Sequence, residues 1–237
     1  MNSFSKIYRR DSLLGAIGAL FMLVGDLCLS VIQTNPNDSG LFQREAYFDG
    51  SYEKWRFPLF VWTGLIGIAL CCFAVRVCYT QVKPQYRKTR LITAVGGAVY
   101  VTTAMTLHFF IGSLADWTST LSPLLGREET AALIQTQYER IFPPMLISYL
   151  GMVVLALANV WAILTKKTIL PRRMLIFHCI TIQIVLMLIP DIRQALGAEV
   201  SAWDHVLSQS SGNAGLCIYM LANFVWVLRQ KDISPEN

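Results

Sequence analysis

Six polar side chains stand in or beside stretches of this chain where polar groups are costly: Asp26, His108, Asp116, Asp191, His205 and Asn213. Asp26 is the most telling. It is the only charged residue in LLGAIGALFMLVGDLCLSVIQ, residues 13–33. A carboxylate at the centre of a membrane-spanning helix costs roughly 2.5–3.5 kcal/mol on insertion scales, so something must pair with it, hydrate it or keep it protonated. A carboxylate and an imidazole in apolar surroundings support three kinds of chemistry. They can hold the polar end of a ligand, act as general acid and base, or join further oxygen and nitrogen donors around a metal. For the last, Asp26, His108, Asp191 and His205 supply suitable atoms, although nothing in their spacing resembles a metal motif. The chain has no G-x-S-x-G elbow, HExxH helix, phosphate loop or dinucleotide glycine fingerprint, so the sequence assigns no cofactor.

The elements that must position these groups are apolar segments long enough to cross a hydrocarbon core, which takes about 20 residues. Six are read, at approximately 13–33, 57–79, 91–115, 143–165, 173–193 and 212–229. The composition agrees, with 54% hydrophobic and 15% charged residues where a soluble domain carries about 25% charged. The expected fold is all-α, a polytopic bundle of six transmembrane helices forming one domain over 1–237. Its positive charge lies in short strips beside the apolar runs, which marks orientation and not nucleic-acid binding.

Thirteen basic residues flank one set of segment ends: Lys6, Arg9, Arg10, Lys83, Arg87, Lys88, Arg90, Lys166, Lys167, Arg172, Arg173, Arg229 and Lys231. Six flank the other: Arg44, Lys54, Arg56, Arg127, Arg140 and Arg193. The positive-inside rule then places both termini in the cytoplasm of a multi-pass protein of the cell (plasma or inner) membrane. On the outer side, residues 116–142 contain a helical stretch with an apolar stripe of Leu133, Ile134, Tyr138 and Ile141. Pro143-Pro144 is expected to break or kink its entry into the fourth span. The six cysteines lie in or at the ends of apolar segments and are read as free thiols. Asn37-Asp38-Ser39 has the form of a glycosylation acceptor.

Gly15, Gly18, Met22 and Gly25 form a stripe of small residues that lets another helix approach, with Asp26 beside it and Ser30 one turn on. His108 shares a face with Gly97, Ala104, Gly112 and Asp116. Gln183, Met187 and Asp191 share another, and Asn213 opens the sixth span. Alternating helix directions put all of these at the outer level, whereas His178, Asn159 and Asn223 are scattered over the inner half. Asp26 and His108 are accordingly expected within direct or one-water reach.

Gly25-Asp26, His108, Pro190-Asp191 and Ser211-Gly212-Asn213, in this order, resemble bacterial six-span membrane proteins grouped as a domain of unknown function. The resemblance implies six spans and a bacterial membrane. Two function classes lead. One is an outward-facing site in the bundle that binds or transports a small or lipid-like molecule, with Asp26, His108, Asp116, Asp191, Asn213 and His205 as candidate ligand contacts. The other is an intramembrane enzyme using a carboxylate/histidine pair on a lipid, metal-assisted hydrolysis being one form. A structural membrane subunit is the third class.

Overall fold

The computed structural model describes residues 2–31, 44–199 and 201–230, with the side chains of Ala202 and His205 also outside the description. The Asn37-Asp38-Ser39 triplet lies outside the described residues. Helices α1 (Ser3–Ser30), α2 (Glu45–Phe48), α3 (Arg56–Thr80), α4 (Arg87–Leu125) and α5 (Arg127–Leu164) are followed by a 3-10 helix, Arg172–Phe177. Then come α6 (Cys179–Ala195), α7 (Ala202–Gln209) and α8 (Ser211–Leu228). Among the described residues there is no strand, only an isolated antiparallel bridge between Val82 and Thr168.

Five helices, α1, α3, α4, α5 and α8, are long and apolar enough to cross a membrane. The fifth expected span corresponds to α6, whose 17 residues rise only about 25 Å. Exposed Leu, Ile, Val and Trp side chains are abundant on α4, α5 and α6, an outer surface that a soluble monomer does not carry. These are the helices of a membrane protein.

The expected outer connection 116–142 is helical throughout, except for one turn residue. α4 has 39 residues and α5 has 38, lengths of about 58 Å and 57 Å against a hydrocarbon core of about 30 Å. Gly126 alone reverses the chain, at φ 86°, a conformation that costs a side chain. The stripe read at Leu133 to Ile141 is therefore part of α5. Ile134 is buried with Leu114, flanked by Tyr138 and Ile141, and Leu133 is exposed. Pro143 and Pro144 lie inside α5 without ending it. The carbonyls that lose their partners belong to Glu139 and Arg140, which are exposed, so water can take the place of the missing N–H groups.

Small residues decide which helices meet. Gly18 of α1 and Gly67 of α3 face each other so closely that a Cβ on either would lie 2.7 Å from the other's carbonyl oxygen. Gly96 of α4 and Gly151 of α5 make a similar crossing, as does Gly215 of α8 against the Cys179 carbonyl of α6. α5, α4, α3, α1, α8 and α6 thus pack in that order around an arc. The arc does not close: α5 and α6 both touch the 3-10 helix at one end but are not packed along each other.

α1 and α8 run antiparallel, since Tyr8 bonds Asn223, Cys217 bonds the Ala16 carbonyl and Asp26 bonds Asn213. The start of α1 and the end of α8 therefore share one end of the bundle with the connections 81–86 and 165–171. Those connections pair through Lys83 N–H to the Lys167 carbonyl (2.8 Å) and Ile169 N–H to the Gln81 carbonyl (2.9 Å). At the opposite end of α1, residues 44–56 cap its last carbonyls. Tyr52 donates to Cys28, Tyr47 to Leu29 (3.2 Å), Arg44 to Ser30 (3.4 Å) and Arg56 to Val31 (2.6 Å). Burial pushes the Tyr52 phenol up to about 12, against the opposing pull of Arg56, so it stays a donor.

Candidate functional site

The arc of helices encloses a cavity of about 960 Å³, at the upper end of the range for small-molecule sites. Most of its wall is apolar, including Phe60, Leu107, Ile111, Met152, Leu155 and Leu216. It is long: its α5 wall runs from Ser148 to Asn159, about 16 Å of helix rise. Besides Gln209 on α7, the well-exposed residues of its lining are Tyr149 (46%) and Val153 (43%) on α5 and Met187 (50%) on α6. They mark the unpacked seam between α5 and α6 as a side opening.

One end of the cavity is polar. Asn213 Nδ2 donates to Asp26 Oδ2 at 2.7 Å, across 187 residues of sequence. Small residues make this possible, because Gly25 sits against Thr63 and Phe60 of α3 and leaves the neighbouring Asp26 facing the cavity. Ser30 donates to the Asp26 carbonyl and is itself buried at the rim. Arg44, only 5% exposed, lines the same end and donates to Gln209 Oε1 at 3.0 Å. No local pattern marks Arg44, which in sequence is one cation in an outer loop. Its site follows from α7, which returns Gln209 to the mouth of the cavity.

His108 is on the cavity wall but is not bonded to Asp26. α3 stands between α1 and α4, and the imidazole stacks on it, with ring centroids 5.0 Å from Phe60 and its Nδ1 over Gly64. The Nδ1 atom is buried without a hydrogen-bond partner among the described residues. The expected Asp26–His108 pair is therefore replaced by Asp26–Asn213, because the second span separates the first from the third. Asp191 continues the α6 stripe of Gln183 and Met187, but one turn past the cavity, where it is exposed. Asp116 is half-buried on α4 and does not line the cavity. His205 belongs to α7, and its side chain is outside the description. Asp26, His108 and Asp191 are thus not brought together for a metal, and no group of three such ligands occurs among the described residues. The neighbour of His205, Asp204, has a structural task. It completes a capping box with Ser201 at the start of α7 and pairs with Arg193 at 3.4 Å.

The opposite end of the cavity is closed by a network the sequence conceals. Asn159, His178 and Asn223, scattered in the linear reading, are tied together by Tyr8, Gln81 and Tyr219. Tyr8 donates to Asn223 Oδ1 (2.6 Å), Gln81 Nε2 to the Tyr219 hydroxyl (3.1 Å) and Tyr219 to Asn159 Oδ1 (2.8 Å). His178 Nδ1 accepts the Ile180 N–H at the start of α6, so its Nε2 carries the proton and donates to Asn159 Oδ1 at 3.1 Å. All six side chains are buried. Tyr and Gln carry no positional signal in an apolar run, which is why only the His and Asn members stood out. Nearby, Asp11 is 2% exposed between Arg10 (2.8 Å) and Arg76 (3.2 Å), which secures the same end of α1 to α3. All six cysteines are free.

The chain belongs to a family of unknown function, DUF6796, whose model matches residues 1–230. No curated protein and no solved structure matches the chain.

Proposed function

We propose that this member of the DUF6796 family is a multi-pass protein of the cell membrane that binds an amphiphile, taken up from the bilayer through the seam between α5 and α6. One observation carries the proposal: a long apolar cavity, polar at one end around Asp26, Asn213 and Arg44, and open sideways beside Tyr149, Val153 and Met187. An apolar solute needs no carboxyl group on the cavity wall, and a small polar solute needs no apolar channel of this length. A molecule with a polar head and a hydrocarbon tail matches both parts. The network of Tyr8, Gln81, Asn159, His178, Tyr219 and Asn223 closes the far end, which favours holding a ligand over conducting it. α6, extended by the 3-10 helix, completes a sixth crossing, and the basic end that holds the start of α1 and the end of α8 faces the cytoplasm.

Mass spectrometry of protein purified through a delipidating detergent wash tests the binding. Wild type should retain an amphiphile, and Val153→Trp, which narrows the side opening, should retain less while remaining folded. Retention no greater than that of an unrelated membrane protein of similar size would remove the function. A reporter fused after Asn237 should be active only in the cytoplasm; activity outside would invert the topology.

A second reading, an intramembrane enzyme, is favoured by Asp26 and His108 opening on one cavity. Since they are not bonded to each other, an acid–base step requires the substrate to lie between them. Turnover of a retained lipid, abolished by His108→Gln with retention intact, distinguishes this reading from binding alone.

A further inference from the structure

The polar end of the cavity holds a guanidinium, Arg44, and a carboxyl group, Asp26, with no ion pair between them. Arg44 is 5% exposed, and its hydrogen bonds go to neutral acceptors only, the Ser30 carbonyl at 3.4 Å and Gln209 Oε1 at 3.0 Å. A guanidinium has five N–H donors, and the first of these two bonds is long. Asp26 is bonded to the amide of Asn213 through Oδ2 alone. Neither Arg44 nor Asp26 has an ion-pair partner among the described residues. Both line the same end of the cavity, where the Ser30 hydroxyl donates to the main-chain carbonyl of Asp26 and the main-chain carbonyl of Ser30 accepts from Arg44. A buried charge is ordinarily paired, and among the described residues the buried Arg44 has no such partner, so a ligand in the cavity can supply it.

We propose that this end recognises the headgroup of a phospholipid carrying a primary amine, with Arg44 taking the phosphate and Asp26 the ammonium. The inference rests on the amphiphile-binding function above and names its ligand class. A purely anionic headgroup satisfies Arg44 but sets its phosphate near the Asp26 carboxylate. A purely cationic amphiphile makes the converse conflict with Arg44. A headgroup with both charges, a short linker apart, offers each of the two residues its complement without such a conflict. A primary ammonium also supplies N–H donors to the remaining carboxylate oxygen of Asp26, which a quaternary amine lacks. Guanidinium suits the phosphate for the same reason it is used elsewhere, presenting several donors in one plane. The acyl chain then lies along Phe60, Leu107, Met152 and Leu155, and the side opening accommodates the rest of the lipid.

The test uses the full chain reconstituted in vesicles of equal parts phosphatidylethanolamine, phosphatidylcholine and phosphatidylglycerol with matched acyl chains. Bound lipid is counted by native mass spectrometry after extraction. Phosphatidylethanolamine should be retained at least about tenfold over the other two, the discrimination expected of one charged hydrogen bond. Arg44→Gln should lower retention of phosphatidylethanolamine about tenfold or more, and Arg44→Lys, which keeps the charge, should restore part of it. Asp26→Asn should keep phospholipid binding but erase the preference for phosphatidylethanolamine over phosphatidylglycerol. If Arg44→Gln does not fold, the lysine and Asp26→Asn variants carry the test. Soluble phosphoethanolamine should not displace the lipid; displacement would make the free headgroup compound the ligand and overturn the proposal. Equal retention of the three lipids, or retention unchanged by both substitutions, would also overturn it while leaving amphiphile binding standing. Retention of no lipid at all would instead remove the binding function itself.

Discussion

Gly18→Ala probes the helix crossing that fixes Asp26. A Cβ at position 18 would lie 2.7 Å from the Gly67 carbonyl oxygen, 2.8 Å from Leu70 Cβ and 3.1 Å from the Cys71 nitrogen. Ordinary contact begins at 3.4 Å, so the deficit at the carbonyl is 3.4 − 2.7 = 0.7 Å. Two of the three obstacles are backbone, which cannot turn aside as a side chain does. α1 and α3 must therefore separate by about that deficit. A gap of about 0.5–1 Å forfeits a quarter to a half of the dispersion attraction at the affected contacts, and overpacking of this kind costs about 1–3 kcal/mol. Gly212→Ala is the control, because its nearest neighbour, Gln183 Nε2, is 3.7 Å from the added carbon. Unfolding in detergent, followed by tryptophan fluorescence, should show Gly18→Ala destabilised by about 1–3 kcal/mol and Gly212→Ala near wild type. Asp26 lies eight residues further along α1, about 12 Å, so ligand retention should fall as well. If Gly18→Ala proves as stable as Gly212→Ala, the close approach of α1 and α3 is not what holds the site.

Asn213→Ala removes the hydrogen bond to Asp26 Oδ2, and a double-mutant cycle with Asp26→Ala should give a coupling of about 0.6 kcal/mol, the average for an interhelical bond in a membrane; additive effects would refute the contact. Gly64→Ala should displace the His108 imidazole into the cavity, since the new methyl overlaps Nδ1 and lies 2.7 Å from Cγ. It should cost less stability than Gly18→Ala, because a side chain can yield, yet reduce the retained amphiphile; unchanged retention would place the ligand elsewhere. Lys166 follows the end of α5 at φ 57°, where a non-glycine residue costs about 1–2 kcal/mol. Lys166→Gly should therefore raise the unfolding midpoint, and a lowered one would show that the lysine side chain stabilises the turn more than its backbone strains it.

Sequence and tertiary structure divided the determination of this protein along a physical line. Length and apolarity along the chain established the helices and the membrane class, because both depend only on local composition. They also showed that Asp26 needed a partner, since the cost of its carboxylate is a property of its own helix. The small stripe of Gly15, Gly18 and Gly25 announced a close neighbour for the same reason. What that neighbour was could not be read. Which faces meet is set by backbone approach at Gly18–Gly67, Gly96–Gly151 and Gly215–Cys179, and these crossings placed α3 between Asp26 and His108 and brought Asn213 to Asp26 instead. Pro143-Pro144 looked like a break because the rule counts lost N–H donors. Exposure of Glu139 and Arg140, which lets water replace them, is a fact of position in the bundle. Arg44, an ordinary loop cation in the chain, became a buried guanidinium only through the return of Gln209 on α7. Tyr8, Gln81, Asn159, His178, Tyr219 and Asn223 formed a network only because antiparallel α1 and α8 bring residues 8 and 223 together at one end. Periodicity reports the face a residue occupies; only packing decides what stands opposite that face.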